Sequence, residues 1–153
     1  MTRTAGRTAL VAAALVAAVY GMARIDLVLR SRSAYLEGEK WSQWSLKPEL
    51  KKAHFDAELA EREAQLSAAL AKGRIDRAAY ERQAGLARFE RDQAVDESSL
   101  KYAYVWYQTA AELFSPPENR WSLLARAKMA ETRALWKKEL DARKIPYEDY
   151  MLE

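Results

Sequence analysis

Residues 8–23 read TALVAAALVAAVYGMA, sixteen positions without a charge. Arg3 and Arg7 precede this run, and Arg24, Arg30 and Arg32 follow it. A bilayer core needs about 20 apolar residues in helical form. The uncharged run is shorter and rich in alanine, but carrying it on through Leu29 gives 22 positions. Arg24 and Asp26 then fall near the interface, where long side chains snorkel. Asp26 and Arg30 lie four apart, a spacing that lets them pair on one helix face. Residues 1–29 are therefore expected to form a signal anchor or transmembrane helix.

The same residues admit a cleaved signal peptide. The leading MTRTAGR is basic, and Gly21-Met22-Ala23 puts small residues at the two positions a signal peptidase reads. Apolar residues continue past Ala23, which favours the uncleaved anchor. The counts of basic residues on the two sides are close to a tie. A first apolar segment preceded by basic residues normally inserts with its N-terminus inside. The body is thus expected in a bacterial periplasm, on the outer face of the inner membrane, the heavy use of alanine and arginine pointing to a bacterial source. Within the run, Ala9, Ala13, Ala17 and Gly21 recur every fourth position and share one helical ridge. Such small ridges let two membrane helices approach closely, so these four residues are expected to pack on another membrane helix.

The remainder is nearly neutral: with three of the 25 Lys/Arg and one of the 22 Asp/Glu in residues 1–29, 22 basic and 21 acidic residues are left. Charges alternate in sign instead of forming the basic stripe that nucleic acid requires, so nucleic acid is not expected as a partner. The absence of cysteine excludes disulfides, zinc–thiolate sites, c-type haem attachment and lipoprotein anchoring. Five glycines and four prolines are few, and Ala, Glu, Lys, Leu and Arg dominate, a balance that favours helix nearly throughout. The expected architecture is all-α, the N-terminal helix being followed by a small helical bundle built from helical hairpins. The expected divisions are an anchor over 1–29, a juxtamembrane connector over 30–45, a helical domain over 46–144 and a tail over 145–153.

The connector contains Trp41-Ser42-Gln43-Trp44-Ser45, which matches the WSxWS box of type I cytokine receptors. In that family the box belongs to a disulfide-bonded β-sandwich placed before the membrane span. Here there is no cysteine, no strand pattern, and the apolar run comes first, so the five letters carry nothing over. Trp41 and Trp44 either rest at the bilayer surface, which favours indoles, or cap the core of the helical domain. A helix is expected to begin between Ser45 and Glu49, with Ser45 as cap and Pro48 in its first turn. Phe55, Leu59, Leu66 and Leu70 form its apolar stripe. Lys72-Gly73 ends it through a left-handed glycine. Asp76 then caps the next helix, and Ile75 staples against Tyr80. The run from Leu66 to Tyr80 looks like the hairpin of SHOCT-type short helical modules, a similarity limited to this turn that carries over no site.

The second of these helices runs toward Ala94. Asp96-Glu97-Ser98-Ser99 is either a restart or an exposed turn, so residues 77–114 form one helix or two. The aromatic stretch 100–107 has the 3–4 spacing of a helix, and Ser115-Pro116-Pro117 breaks it. A last helix is expected from about Glu118 to Arg143, with Trp121, Ala125, Met129, Thr132, Trp136 and Leu140 on one stripe. The helices around Pro116-Pro117 resemble one tetratricopeptide hairpin in spacing, without a second copy. In the tail, Tyr147, Tyr150 and Met151 are expected either to pack back or to offer a short peptide to a partner.

Catalytic patterns are missing. His54 has one carboxylate, Glu58, at helical reach, too few partners for a metal or a general base. Glu58, Glu61 and Glu63 are interrupted by Arg62. There is no glycine-rich phosphate loop and no G-x-S-x-G elbow. No cofactor, metal or small-molecule substrate is expected. The expected function is non-enzymatic: a structural, assembly or adaptor subunit that contacts other membrane or periplasmic proteins through Trp41, Trp44, Tyr147, Tyr150 or Met151. A soluble, signal-cleaved periplasmic adaptor or chaperone is the alternative.

Overall fold

A computed structural model describes the backbone of residues 2–152 and the side chains from Leu10 onward. The protein is all-helical, with no strand among the described residues. Five α-helices follow in order: α1 (Thr2–Leu46), α2 (Pro48–Ala71), α3 (Arg77–Asp96), α4 (Ser99–Gln108) and α5 (Arg120–Ala142). A π-helical turn, Thr109–Leu113, extends α4, and a 3-10 turn, Asp149–Leu152, closes the chain. The chain divides into two compact units. The first joins residues up to Lys40 with residues from Leu100 onward; the second is Trp41–Ser99.

The long helix α1 has a simple cause. No proline occurs before Pro48, and alanine, leucine and arginine are strong helix formers. The stretch 30–45, expected as a connector between anchor and domain, is the continuation of α1. The helix stops at Lys47, which takes φ −133° and ψ 76° because the following proline ring disfavours the helical region for its predecessor. The expected Ser45 cap is therefore corrected. Ser45 lies inside α1 and donates to the Ser42 carbonyl at 2.7 Å, while Lys47 opens α2 without a side-chain cap and Pro48 fills the first turn.

The second unit is dominated by the α2–α3 hairpin. Gly73 takes φ +64°, a left-handed value that glycine adopts without a Cβ penalty. Asp76 accepts a 2.6 Å bond from the Ala79 amide, the N-cap expected from sequence. The contact between the helices is lean: Ala84 and Ala87 are its buried apolar residues on α3. Arg62–Glu90 at 2.6 Å, Arg88–Glu63 at 2.8 Å and an Arg91–Asp56 pair bridge the two helices. Exposed pairs of this kind contribute little each, roughly 0.2–1 kcal/mol. The hydrogen bonds of Lys52 and Arg91 hold the Asp56 carboxyl below its ordinary value.

Residues 77–114 form two α-helices, not one. No glycine or proline breaks the chain at Glu97, which is extended at φ −60° and ψ 147°. The break is stabilised from α2. Buried Lys51 donates to the Val95 carbonyl at 3.0 Å and to the Glu97 carbonyl at 2.5 Å. A cation on the open carbonyls of a helix end also meets the negative pole of its dipole.

The first unit carries an aromatic core. Tyr107 is fully enclosed, and Ala103, Ala110 and Ala111 are buried around the α4 end. Tyr104, Trp136 and Leu152 form a second buried cluster, with Leu100, Met129, Leu140 and Tyr147 packed against it. Burying one such ring stabilises by roughly 2–3 kcal/mol. The expected stripe of α5 holds: Ala125, Thr132 and Trp136 are buried, and Trp121, Met129 and Leu140 are half-buried. The helix starts slightly later than expected, because Asn119 forms a capping box with Ser122.

Candidate functional site

The helix from Leu10 to Leu46 contains a span long and apolar enough to cross a membrane, and none of that window is buried against protein. Leu10 is 72% and Val16 71% exposed, and Leu15, Val19, Met22, Ile25 and Leu29 are exposed in the same way. Scattered apolar residues on a surface are ordinary, but a contiguous exposed stretch of this kind marks an interface. Asp26 and Arg30 pair at 2.7 Å, as their spacing predicts, and Arg24 donates to the Tyr20 hydroxyl at 3.3 Å. Of the ridge expected to pack on another helix, Ala13 and Ala17 are exposed. A Cβ built on Gly21 would meet nothing within 4 Å. The side chain of Ala9 lies outside the described residues.

Ten residues further along α1 the surroundings reverse. Ser31, Ala34 and Gly38, at spacings of three and four, are buried. Ser31 donates to the Ala110 carbonyl at 3.1 Å. Gly38 is where the Tyr107 ring comes in: a Cβ there would stand 2.6 Å from Tyr107 Cε1. The Tyr107 hydroxyl donates to Glu39 at 2.7 Å. Tyr35 also bonds Glu39, and burial first, then that bond, pushes its phenol up. Tyr35 touches both Tyr107 and Trp121, with ring centroids at 5.8 and 5.5 Å. Sequence reasoning missed this seam. Its signal was the row of small residues Ser31, Ala34 and Gly38, hidden because the segment reads as polar.

The expected docking residues separate. Trp44 is 6% exposed and meets Trp41, His54 and Phe55 at centroid distances of 4.8, 5.0 and 5.8 Å. It is a core side chain of the second unit, so it is withdrawn from the docking surface. Half-buried Trp41 joins the same cluster, with Lys51 over its ring at 5.4 Å. Tail residues Tyr150 and Met151 are exposed, at 69% and 56%, while Leu152 beside them is buried. Lys137 bonds Asp149 at 2.5 Å and holds its carboxyl below the ordinary value. Arg133 donates to the Asp149 carbonyl. The tail thus packs back and leaves two side chains outward. Tyr147 is half-buried, and burial together with a bond to Asp141 raises its phenol.

Potential chemistry elsewhere is occupied by structure. His54 contacts Glu58 at 3.2 Å. Glu63 is taken by an α3 arginine, and Glu61 bonds Gln65. No group of three metal-binding side chains exists among the described residues. A groove of about 190 Å³ between α2 and α3 is lined by Phe55, Leu59, Ala87 and Ala94 with Arg62, Glu90 and Arg91. Its charges are paired across the hairpin. Comparison with protein-family models, with curated proteins and with solved structures finds no match.

Proposed function

We propose that this chain is a single-pass membrane-anchored helical protein whose body serves as a structural, assembly or adaptor subunit, working through protein–protein contacts and without a catalysed reaction. The observation that carries the reading is the exposed apolar half of α1, which needs lipid or another apolar surface to cover it. The ridge Ala13, Ala17 and Gly21 offers that half a place to meet a second membrane helix. Tyr150 and Met151 are the exposed tail positions for a soluble partner. In this reading the body lies on the periplasmic side of a bacterial inner membrane.

The second reading is a signal peptide removed after Ala23, favoured by the small residues of Gly21-Met22-Ala23. Removal there would leave Ile25 and Leu29, both exposed, without lipid, and α1 shows no break at that point. Intact mass of the chain recovered from its native membrane separates the two. A full-length mass supports the anchor; a start at Arg24 supports the released form. A photo-crosslinking residue at Tyr150 tests the contact role in the same membranes. Discrete protein adducts are expected, and a chain without adducts from Tyr150, Met151 and Ala17 contradicts an adaptor.

A further inference from the structure

The first unit turns one end toward the apolar half of α1. Along the α1–α4 contact, Tyr107 meets Gly38 and Glu39, and Ala110 meets Ser31. The two segments therefore run antiparallel, and each further residue of the π-helical turn moves toward the start of α1. Leu113, three positions past Ala110, lies beyond Ser31 in the direction of Leu27 and Val28, which are themselves half-buried. Leu113 is 71% exposed. The chain then turns through Pro116-Pro117 and comes back at Trp121, which packs on Tyr35.

Two arginines flank that indole. The Arg32 guanidinium stands 5.8 Å and the Arg120 guanidinium 5.5 Å from the Trp121 ring. Neither makes an ion pair among the described residues. Asp26 is paired with Arg30 and Glu118 with Arg126. The result is a half-buried indole between two cations, with an exposed leucine on the same end of the unit. Indoles favour the headgroup level of a bilayer, and arginines there meet phosphate.

We infer that the end of the first unit formed by Leu113, Trp121, Arg32 and Arg120 is a docking surface for an anionic phospholipid bilayer, the arginines meeting phosphate and Leu113 entering the acyl boundary. The inference rests on the anchor reading of α1, because that helix brings this end to the lipid. It also moves the interfacial tryptophan from the pair Trp41 and Trp44 to Trp121. By this surface the body is held against the membrane, instead of swinging on its anchor.

The chain has no cysteine, so a single introduced one takes a label uniquely. Leu113→Cys, Leu15→Cys and Met151→Cys variants of the full chain would each carry an environment-sensitive fluorophore. They would be reconstituted in phosphatidylcholine vesicles with and without phosphatidylglycerol, with doxyl lipids as quenchers. The label at 15 is quenched in both vesicle types if α1 spans the bilayer. The label at 113 is quenched in the anionic vesicles and much less in the neutral ones. The label at 151 stays in water, since Trp136, which packs with Leu152, lies fifteen residues along α5 from Trp121, about 22 Å by helix rise. Replacing Arg32 and Arg120 together by glutamine lowers quenching at 113, consistent with a roughly tenfold or greater loss of surface affinity, and leaves position 15 unchanged. Quenching at 15 without quenching at 113, or equal quenching at 113 in the two lipids, overturns the surface. Absence of quenching at 15 overturns the anchor itself.

Discussion

Two stretches of one helix invert the usual rule of burial. In α1, residues 10–29 are mostly apolar and mostly exposed, Gly21, Leu27 and Val28 being half-buried. Residues 31–40 carry serine, glycine, glutamate and lysine, yet hold the buried Ser31, Ala34 and Gly38. Hydrophobic residues are withdrawn from water when folding has a place for them. Here the place is taken by a seam that selects for small volume. Alanine, serine and glycine on α1 let the Tyr107 ring lie against the helix backbone. The difference is one of surroundings: the second stretch packs against its own protein, and the first is long and apolar enough to cross a membrane, with none of that window buried.

The largest expected effect is at Gly38. A leucine there drives into an enclosed ring whose hydroxyl is tied to Glu39. Gly38→Leu should cost about 3 kcal/mol or more, the upper end for overpacking. Gly38→Ala should still destabilise, because even one methyl meets the ring at 2.6 Å, although alanine gains about 1 kcal/mol over glycine in a helix. Denaturant titration in mild detergent, followed by tryptophan fluorescence, reads both. A stabilised Gly38→Ala chain would show that the ring moves freely and that the seam is not tight.

Tyr107→Phe keeps the ring and removes its bond to Glu39. The loss should be about 1–2 kcal/mol, as for a hydrogen bond to a carboxylate, in the same titration. A smaller contribution comes from the tail. Asp149 titrates lower in the folded protein than in the unfolded chain because Lys137 favours its charged form. The stabilisation is therefore present above the unfolded value of about 4 and fades as pH falls through the lower folded value. Near-UV circular dichroism of the Trp136 cluster should show a step below that pH, and Lys137→Met should abolish the step.

The bare stretch should respond in the opposite way. Val16→Ala is expected to leave folding stability within about 0.5 kcal/mol, as for an exposed position, while weakening membrane retention. A destabilisation as large as that of Tyr107→Phe would mean that residue 16 is buried against protein after all.

Much of this architecture was legible from residues alone. The charge-free run, Gly73, Asp76 and the stripe Ala125, Thr132 and Trp136 each carry a local signal: absence of charge, left-handed freedom, a capping carboxylate and helical spacing. The burial within residues 31–38 is hidden from sequence because it depends on small residues, which carry little hydropathy. The break at Glu97 has no local sign, since the lysine that stabilises it sits more than forty positions earlier, on α2. From sequence Trp44 reads as either a bilayer-surface or a core indole, and Trp121 as a member of the α5 stripe. Only tertiary neighbours distinguish them: Phe55 and His54 enclose one, while two arginines flank the other.

The central claim is that residues 10–29 lie in lipid on the working protein. Alkaline washing of native membranes, with intact mass measured on pellet and supernatant, tests it most directly. The account predicts a full-length chain retained in the pellet and released only by detergent. A full-length chain released into the supernatant by the wash alone would contradict it.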